Sequence, residues 1–278
     1  MDTSVDRGLA AVAGTTLYYE RAGQGAPVVL LPGFALDTRL WAEQAAALAP
    51  HYHVVCCDLR GFGRSALPGP EPYAHTADLR ALLDHFAFER VAVVGLSRGG
   101  RWALQFALDF PARVAALVVA DAVPDGYRSG AAGPARSPAI VSATGQGVAA
   151  ARAAWLEHPL FETARRRPEV RARLAEMIGA YSGWHWYHPD PAVSSQPPAA
   201  ARLAQIQAPT LIVIGEHDAA EYQAATGQMV REIPGARRAV IPNAGHLSNL
   251  ENPAAFNAAL LAFLGEALSP LCRAAAQP

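Results

Sequence analysis

The stretch Val91-Ala92-Val93-Val94-Gly95-Leu96-Ser97-Arg98-Gly99-Gly100 decides the fold. Residues 91–94 form a short, wholly apolar run that stops at Gly95. Such a run, bounded by a turn residue, suits a strand buried on both faces. A segment with helical periodicity starts at Gly99 and continues to Leu108. Between the two lies G-x-S-x-G, in the strand–turn–helix setting that gives this pattern its meaning. A serine at so sharp a turn takes a strained backbone conformation that projects its Oγ outward. The flanking glycines let strand and helix approach closely.

The same alternation repeats on either side. Residues 16–21 read as a strand. Further apolar runs cover 28–31, stopped by Pro32-Gly33; His53–Cys57, followed by Asp58; Val114–Ala120, ending at Asp121; 211–214, ending at Gly215; and 239–241. Helix-period segments at 40–48, 77–86, 219–232 and 253–268 separate them. Strands alternating with helices imply a mostly parallel sheet with helices on both faces, here of about eight strands. The alternation stops between about Pro124 and Ala208. A Gly/Ala/Pro/Ser-rich loop over 125–138 leads into helix-like stretches at 147–161 and 168–181. Trp184-His185-Trp186-Tyr187-His188 and a proline-rich exit follow. This reads as a helical lid inserted after strand 6, over the carboxyl ends of the sheet, where open α/β folds bind ligands. The expected division is core 1–123, lid 124–208, core 209–278, with a frayed tail at 274–278.

A serine hydroxyl is a weak nucleophile without a base, and the base needs an orienting carboxylate. Asp218 lies just beyond the 211–214 strand, in Gly215-Glu216-His217-Asp218. His246 lies beyond the next strand, in Asn243-Ala244-Gly245-His246. The order Ser97, Asp218, His246 suits this architecture. Asp121, which also ends a strand, is the alternative acid. If Asp218 holds the catalytic place, Asp121 is structural or lines the pocket.

With these residues the chain resembles the α/β-hydrolase fold superfamily, in its lid-bearing, esterase-like form, from about residue 15 to 268. Leu30-Leu31-Pro32-Gly33-Phe34 resembles the family's oxyanion loop, although Pro32 stands where the family most often has His. Asp58-Leu59-Arg60-Gly61-Phe62-Gly63-Arg64-Ser65 resembles its D-x-R-G-x-G-x-S block. The resemblance implies an oxyanion hole built from the backbone N–H groups of Phe34 and Arg98. Relatives with Asp at the position of Ser97 are dehalogenases and epoxide hydrolases, so Ser97 points instead to acyl chemistry at a carbonyl. The implied activity is cofactor-independent hydrolysis of a small, largely apolar carboxylic ester or lactone. Three alternatives share the triad. One is a C–C bond hydrolase or enol-lactonase acting on an acidic substrate. Another is a cofactor-free haloperoxidase or perhydrolase. The last is a non-hydrolytic biosynthetic or ligand-binding member of the fold.

Composition narrows the partners. The 278 residues carry 23 basic and 24 acidic side chains, a formal net charge of −1. That removes the electrostatic footprint of a nucleic-acid binder. Every basic residue is Arg, which excludes lysine Schiff-base chemistry and the lysine-bearing phosphate loop. No apolar run reaches the roughly 18 residues a membrane span needs. The amino terminus does not read as a secretory signal, so a cytoplasmic location is expected. Cys56, Cys57 and Cys272 form no metal or disulfide pattern, and neither metal nor cofactor is expected. The expected partner is a small-molecule substrate, with the protein a monomer or homodimer. Four local expectations remain. The Arg98 guanidinium binds a substrate carboxylate or forms a structural ion pair. Trp184, Trp186 and Tyr187 wall an apolar pocket or staple the lid to the core. Residues 165–167, three arginines, form a solvated face. His75 and the other remaining histidines lie on surfaces or helix faces.

Overall fold

The computed structural model describes residues 5–127 and 137–269. Cys272, the tail expected at 274–278 and most of the loop expected at 125–138 lie outside the described residues. Eight strands form one sheet: β1 (Asp6–Val12), β2 (Thr15–Ala22), β3 (Pro27–Leu31), β4 (His53–Cys57), β5 (Val91–Leu96), β6 (Val114–Ala120), β7 (Thr210–Gly215) and β8 (Arg237–Ile241). Their spatial order is β1-β2-β4-β3-β5-β6-β7-β8. β1 and β2 pair antiparallel, and so do β2 and β4; the other neighbours are parallel.

Burial explains which strands the sequence shows plainly. β5, β6 and β7 are buried at every position, as parallel strands covered on both faces must be. β1 has no counterpart in the sequence reading. It is an edge strand, largely exposed over Asp6–Leu9, and lacks the continuous apolar run. The two-residue turn at Ala13-Gly14, with both φ values positive, folds it back onto β2.

The helices are α1 (Ala42–Leu48), α2 (His75–His85), α3 (Arg98–Asp109), α4 (Pro138–Thr144), α5 (Val148–Leu156), α6 (Glu162–Arg165), α7 (Pro168–Ala180), α8 (Trp184–Tyr187), α9 (Ala220–Glu232), α10 (Ser248–Glu251) and α11 (Pro253–Ala267). None among the described residues is long and apolar enough to cross a membrane. α4 to α8 all fall between β6 and β7, and no strand of the sheet interrupts them among the described residues. α3 packs against β5 and β6 with Ala103, Phe106 and Ala107 buried, and its Trp102 meets His75 of α2.

The chain order reverses around β3, which pairs with β4 on one side and β5 on the other. The carboxyl ends of neighbouring parallel strands diverge at such a point and leave a crevice. Pro32-Gly33-Phe34 and Ser97 both stand at that end.

Candidate active site

Ser97 follows β5 with φ 54° and ψ −115°. A positive φ at a residue with a Cβ is strained, and such strain persists only where the surroundings hold it. Here the Ser97 N–H donates to the Ala120 carbonyl of β6 at 2.8 Å, and the Ser97 carbonyl accepts from Arg101 N at 3.0 Å. The turn is closed by close contact of its glycines. A Cβ on Gly95 would stand 2.2 Å from the Gly99 carbonyl oxygen, and one on Gly99 would stand 2.1 Å from the Leu31 carbonyl oxygen.

The structure brings Ser97, His246 and Asp218 into one hydrogen-bonded chain. Ser97 Oγ lies 2.9 Å from His246 Nε2. His246 Nδ1 lies 3.2 and 3.1 Å from the two Asp218 oxygens. A carboxylate only accepts, so Nδ1 carries a proton, which leaves Nε2 facing the serine hydroxyl. Asp218 Oδ1 also accepts the Ala219 N–H at 2.7 Å. Both His246 and Asp218 are buried. Burial lowers the pKa of His246, but the charge and hydrogen bond of Asp218 outweigh it, and the imidazole ends above its ordinary value. The Tyr222 ring stands edge-on to His246 at 4.4 Å.

Asp121 is not in the pocket. It is fully buried beneath the site, accepting from Gly215 N at 2.8 Å, from Ser248 N at 3.2 Å and from Ser248 Oγ at 2.5 Å. It ties the end of β6 to the end of β7 and to the segment after His246. Burial, then the nearby Asp218 charge, pushes its pKa well up. Glu251, absent from the sequence reading, plays a matching part. It accepts from Gly245 N at 2.9 Å and Leu247 N at 3.2 Å, the residues either side of His246. No spacing in the sequence marks it.

Arg98 opens α3, so its N–H is one of those a helix leaves unpaired. The Phe34 N–H donates to no backbone carbonyl among the described residues. The Arg98 guanidinium is an ion-pair partner: its Nη2 donates to Asp190 at 2.8 Å. Asp58, in the block that follows β4, braces this end of the sheet. Its carboxylate accepts from Thr38 N at 2.7 Å and Arg64 N at 2.8 Å. Burial pushes its pKa up to about 7.

A cavity of about 440 Å³ has Ser97 and His246 in its wall. Phe34, Trp155, Leu160, Phe161 and Leu247 make one side apolar. Arg101, Asp125 and Tyr127 make another side polar, with Arg101 Nη2 donating to Asp125 at 2.5 Å.

Trp184, Trp186 and Tyr187 are not in that wall. They fall on the four-residue α8, behind Phe34 rather than over Ser97. The Trp186 ring packs 6.2 Å from Phe34, Trp184 stacks on His188 at 5.1 Å, and the exposed Tyr187 donates its hydroxyl to the Thr144 carbonyl at 3.2 Å. The aromatic wall comes instead from Trp155 and Phe161, too far apart in the sequence to read as a motif.

Two further expectations change. Residues 165–167 do not form one solvated face: Arg167 reaches back to the carbonyls of Glu251 and Asn243, Arg165 to that of His158 at 2.7 Å, and Arg166 alone stays on the surface. His75 is buried between Tyr73 and Trp102, and burial holds it well below its ordinary pKa. Among the described residues no cluster of three or more His, Cys, Asp or Glu could hold a metal ion.

Comparison with known proteins places this geometry in context. A sequence model described as the alpha/beta hydrolase fold matches residues 26–253. Fluoroacetate dehalogenase from a Burkholderia species is 39% identical over 126 residues, 43% of this chain and 41% of that protein. The alignment therefore spans about two fifths of that relative's length. An esterase from Thermogutta terrifontis superposes with a TM-score of 0.77 at 26% identity, covering 94% of this chain and 99% of the other. The enol-lactonase from Burkholderia xenovorans LB400 superposes with a TM-score of 0.75 at 28% identity, covering 92% and 99%.

Proposed function

Because the chain belongs to the alpha/beta hydrolase fold family, we propose that it is a cofactor-independent serine hydrolase acting on a small, largely apolar carboxylic ester or lactone. One observation carries the reading. A strained Ser97 at a strand–helix turn points its Oγ at His246 Nε2, 2.9 Å away, with the other imidazole nitrogen held by a buried carboxylate.

The chemistry follows from those atoms. As Ser97 Oγ attacks the substrate carbonyl carbon, its proton passes to His246 Nε2. Asp218 keeps the imidazole in the right tautomer and stabilises the imidazolium. The tetrahedral oxygen takes hydrogen bonds from the N–H groups of Phe34 and Arg98. His246 then returns the proton to the leaving oxygen. The resulting acyl ester on Ser97 is cleaved by water that His246 deprotonates. The segment carrying α4 to α8 acts as the lid, because its Trp155, Leu160 and Phe161 roof the cavity that holds Ser97.

Nucleophile chemistry separates this activity from that named for the Burkholderia dehalogenase. A carboxylate displacing halide leaves an ester that water can cleave. Ser97 doing the same would leave an alkyl ether, which the triad has no means to hydrolyse. The esterase and enol-lactonase neighbours accord with acyl chemistry. Charge bears on the substrate. Arg98 pairs with Asp190 and Arg101 with Asp125, so each cation at the cavity already has an acidic partner. That supports a neutral substrate over an acidic one. The test is turnover of p-nitrophenyl esters from acetate to decanoate and of simple lactones, beside Ser97→Ala. Loss of turnover by at least about three orders of magnitude in the variant, with the fold intact, is the expected result. Retained turnover refutes the proposal.

A further inference from the structure

The two residues assigned to the oxyanion hole touch each other through their side chains. The Arg98 guanidinium lies 5.5 Å from the centre of the Phe34 ring and 5.4 Å from that of Phe62. The ring faces attract the cation, and an ion pair to the same guanidinium fixes where it sits. The fixing group is Asp190, near the end of the inserted segment. Its Oδ2 accepts from Arg98 Nη2 at 2.8 Å, and among the described residues it is the only hydrogen-bond acceptor of that guanidinium. Asp190 is itself held: Oδ1 accepts from the Tyr73 hydroxyl at 3.0 Å and from Ala192 N at 3.1 Å.

His185 completes the arrangement. Its ring stacks on Phe62 at 4.3 Å, and its Nδ1 lies 2.8 Å from the Tyr181 hydroxyl. That hydroxyl also accepts the His185 backbone N–H at 3.1 Å, and His185 Nε2 faces Asp190 at 3.5 Å. The last distance is too long for a good hydrogen bond. Burial first, then the Arg98 charge, holds His185 well below its ordinary pKa, so it is neutral. The Asp190 charge is therefore directed at Arg98.

We infer that Asp190 is a positioning residue for the oxyanion hole: through Arg98 and the Phe34 ring, it sets the separation and aim of the two backbone N–H donors. The inference rests on the serine-hydrolase reading. It gives the inserted segment a task beyond roofing the pocket, because the hole is in register only when the segment is seated. Trp155, Tyr181 and His185, all from that segment, pack around Phe34 with ring centres 5.4, 5.6 and 5.8 Å away.

Asp190→Asn tests this, since it keeps size and one acceptor oxygen but removes the charge. On the best p-nitrophenyl ester, kcat is expected to fall about ten- to a hundredfold with KM changed less than about threefold, as for donors displaced by a fraction of an ångström. Inhibition by an aryl trifluoromethyl ketone, whose serine adduct carries the oxyanion, should weaken by the same factor. A merely structural role would not move these two together while KM stays. In an Arg98→Met background the Asn substitution should add nothing, because the path runs through Arg98. Final labelling of Ser97 by a fluorophosphonate counts folded sites. A kcat within twofold of wild type, a change in KM alone, or full additivity with Arg98→Met overturns the inference and leaves the serine-hydrolase reading standing. Wild-type turnover that survives Ser97→Ala overturns both.

Discussion

Gly99→Ala should damage the site out of proportion to its size. The added Cβ would stand 2.1 Å from the Leu31 carbonyl oxygen and 2.6 Å from that of Pro32. Both are backbone atoms at the end of β3, so no side chain can swing aside. Restoring ordinary contact requires the start of α3 and the end of β3 to separate by about 1 Å. That motion has a direction. Arg98 N–H rides on α3 and Phe34 N–H on the loop after β3, so the two proposed oxyanion donors are pushed apart. A misplacement of about 1 Å costs about a hundredfold in rate, and overpacking of this kind about 1–3 kcal/mol in stability. For a chain of this length that is roughly 2–6 °C in Tm. Gly265→Ala is the control. It makes the same chemical change inside α11, where nothing lies within 4 Å of the new Cβ. Removing a helix-interior glycine there should raise stability by about 0.5–1 kcal/mol and leave kcat alone. Steady-state kinetics and thermal unfolding of the two variants read both effects. If Gly99→Ala keeps kcat within threefold and Tm within 1 °C (about the scatter of such a scan), the argument from close backbone approach is wrong.

Two other predictions use different parts of the molecule. The proposed mechanism needs neutral His246, whose pKa is raised, so kcat/KM should fall as pH drops through a value above about 6.5. Asp218→Asn removes the group that raises it, so the acidic limb should move to lower pH while kcat falls about four orders of magnitude; a pH–rate profile with an unmoved limb refutes the assignment of Asp218. The Arg60 guanidinium meets Asp78 through two contacts, at 2.9 and 2.5 Å, with both side chains nearly buried. Asp78→Asn leaves that cation uncompensated and should cost about 3–5 kcal/mol, roughly 6–10 °C in Tm by calorimetry, whereas an exposed pair such as Arg166–Glu162 should cost under about 1 kcal/mol.

What the sequence reveals divides along a physical line. Buried parallel strands must be apolar throughout, so β3 to β7 show as runs that end at a turn residue. The positions just past those ends are then countable: Ser97 follows β5 and Asp218 follows β7, while His246 follows β8, an edge strand whose exposure leaves only the short 239–241 run to mark it. β1 stays hidden because an exposed edge strand has no such constraint. The choice between Asp218 and Asp121 depends on where each carboxylate points. Both end strands at the same edge, and only their partners distinguish them: an imidazole for one, backbone amides and Ser248 for the other. The pocket walls are the least legible part. Phe34, Trp155 and Phe161 come from separate segments, and their meeting follows from how the insertion seats on the core. The conspicuous run 184–188 draws attention by composition alone, yet α8 is a single turn whose side chains spread around it. His185 goes inward to Phe62, while Tyr187 goes outward to α4.

This division bears on how substrate choice and rate are connected in this chain. A lid that only covered the pocket could change shape freely, with specificity varying and the rate of the chemical step untouched. Here the segment that supplies Trp155, Leu160 and Phe161 to the cavity also supplies Asp190 to Arg98 and three rings to Phe34. Cores are close-packed and move between discrete arrangements rather than deforming smoothly. A substrate whose acyl group shifts Trp155 must therefore disturb Phe34 as well. Longer acyl chains should then lose kcat together with affinity, and Trp155→Ala should recover kcat on them only in part, because it widens the cavity while removing one of the rings that hold Phe34.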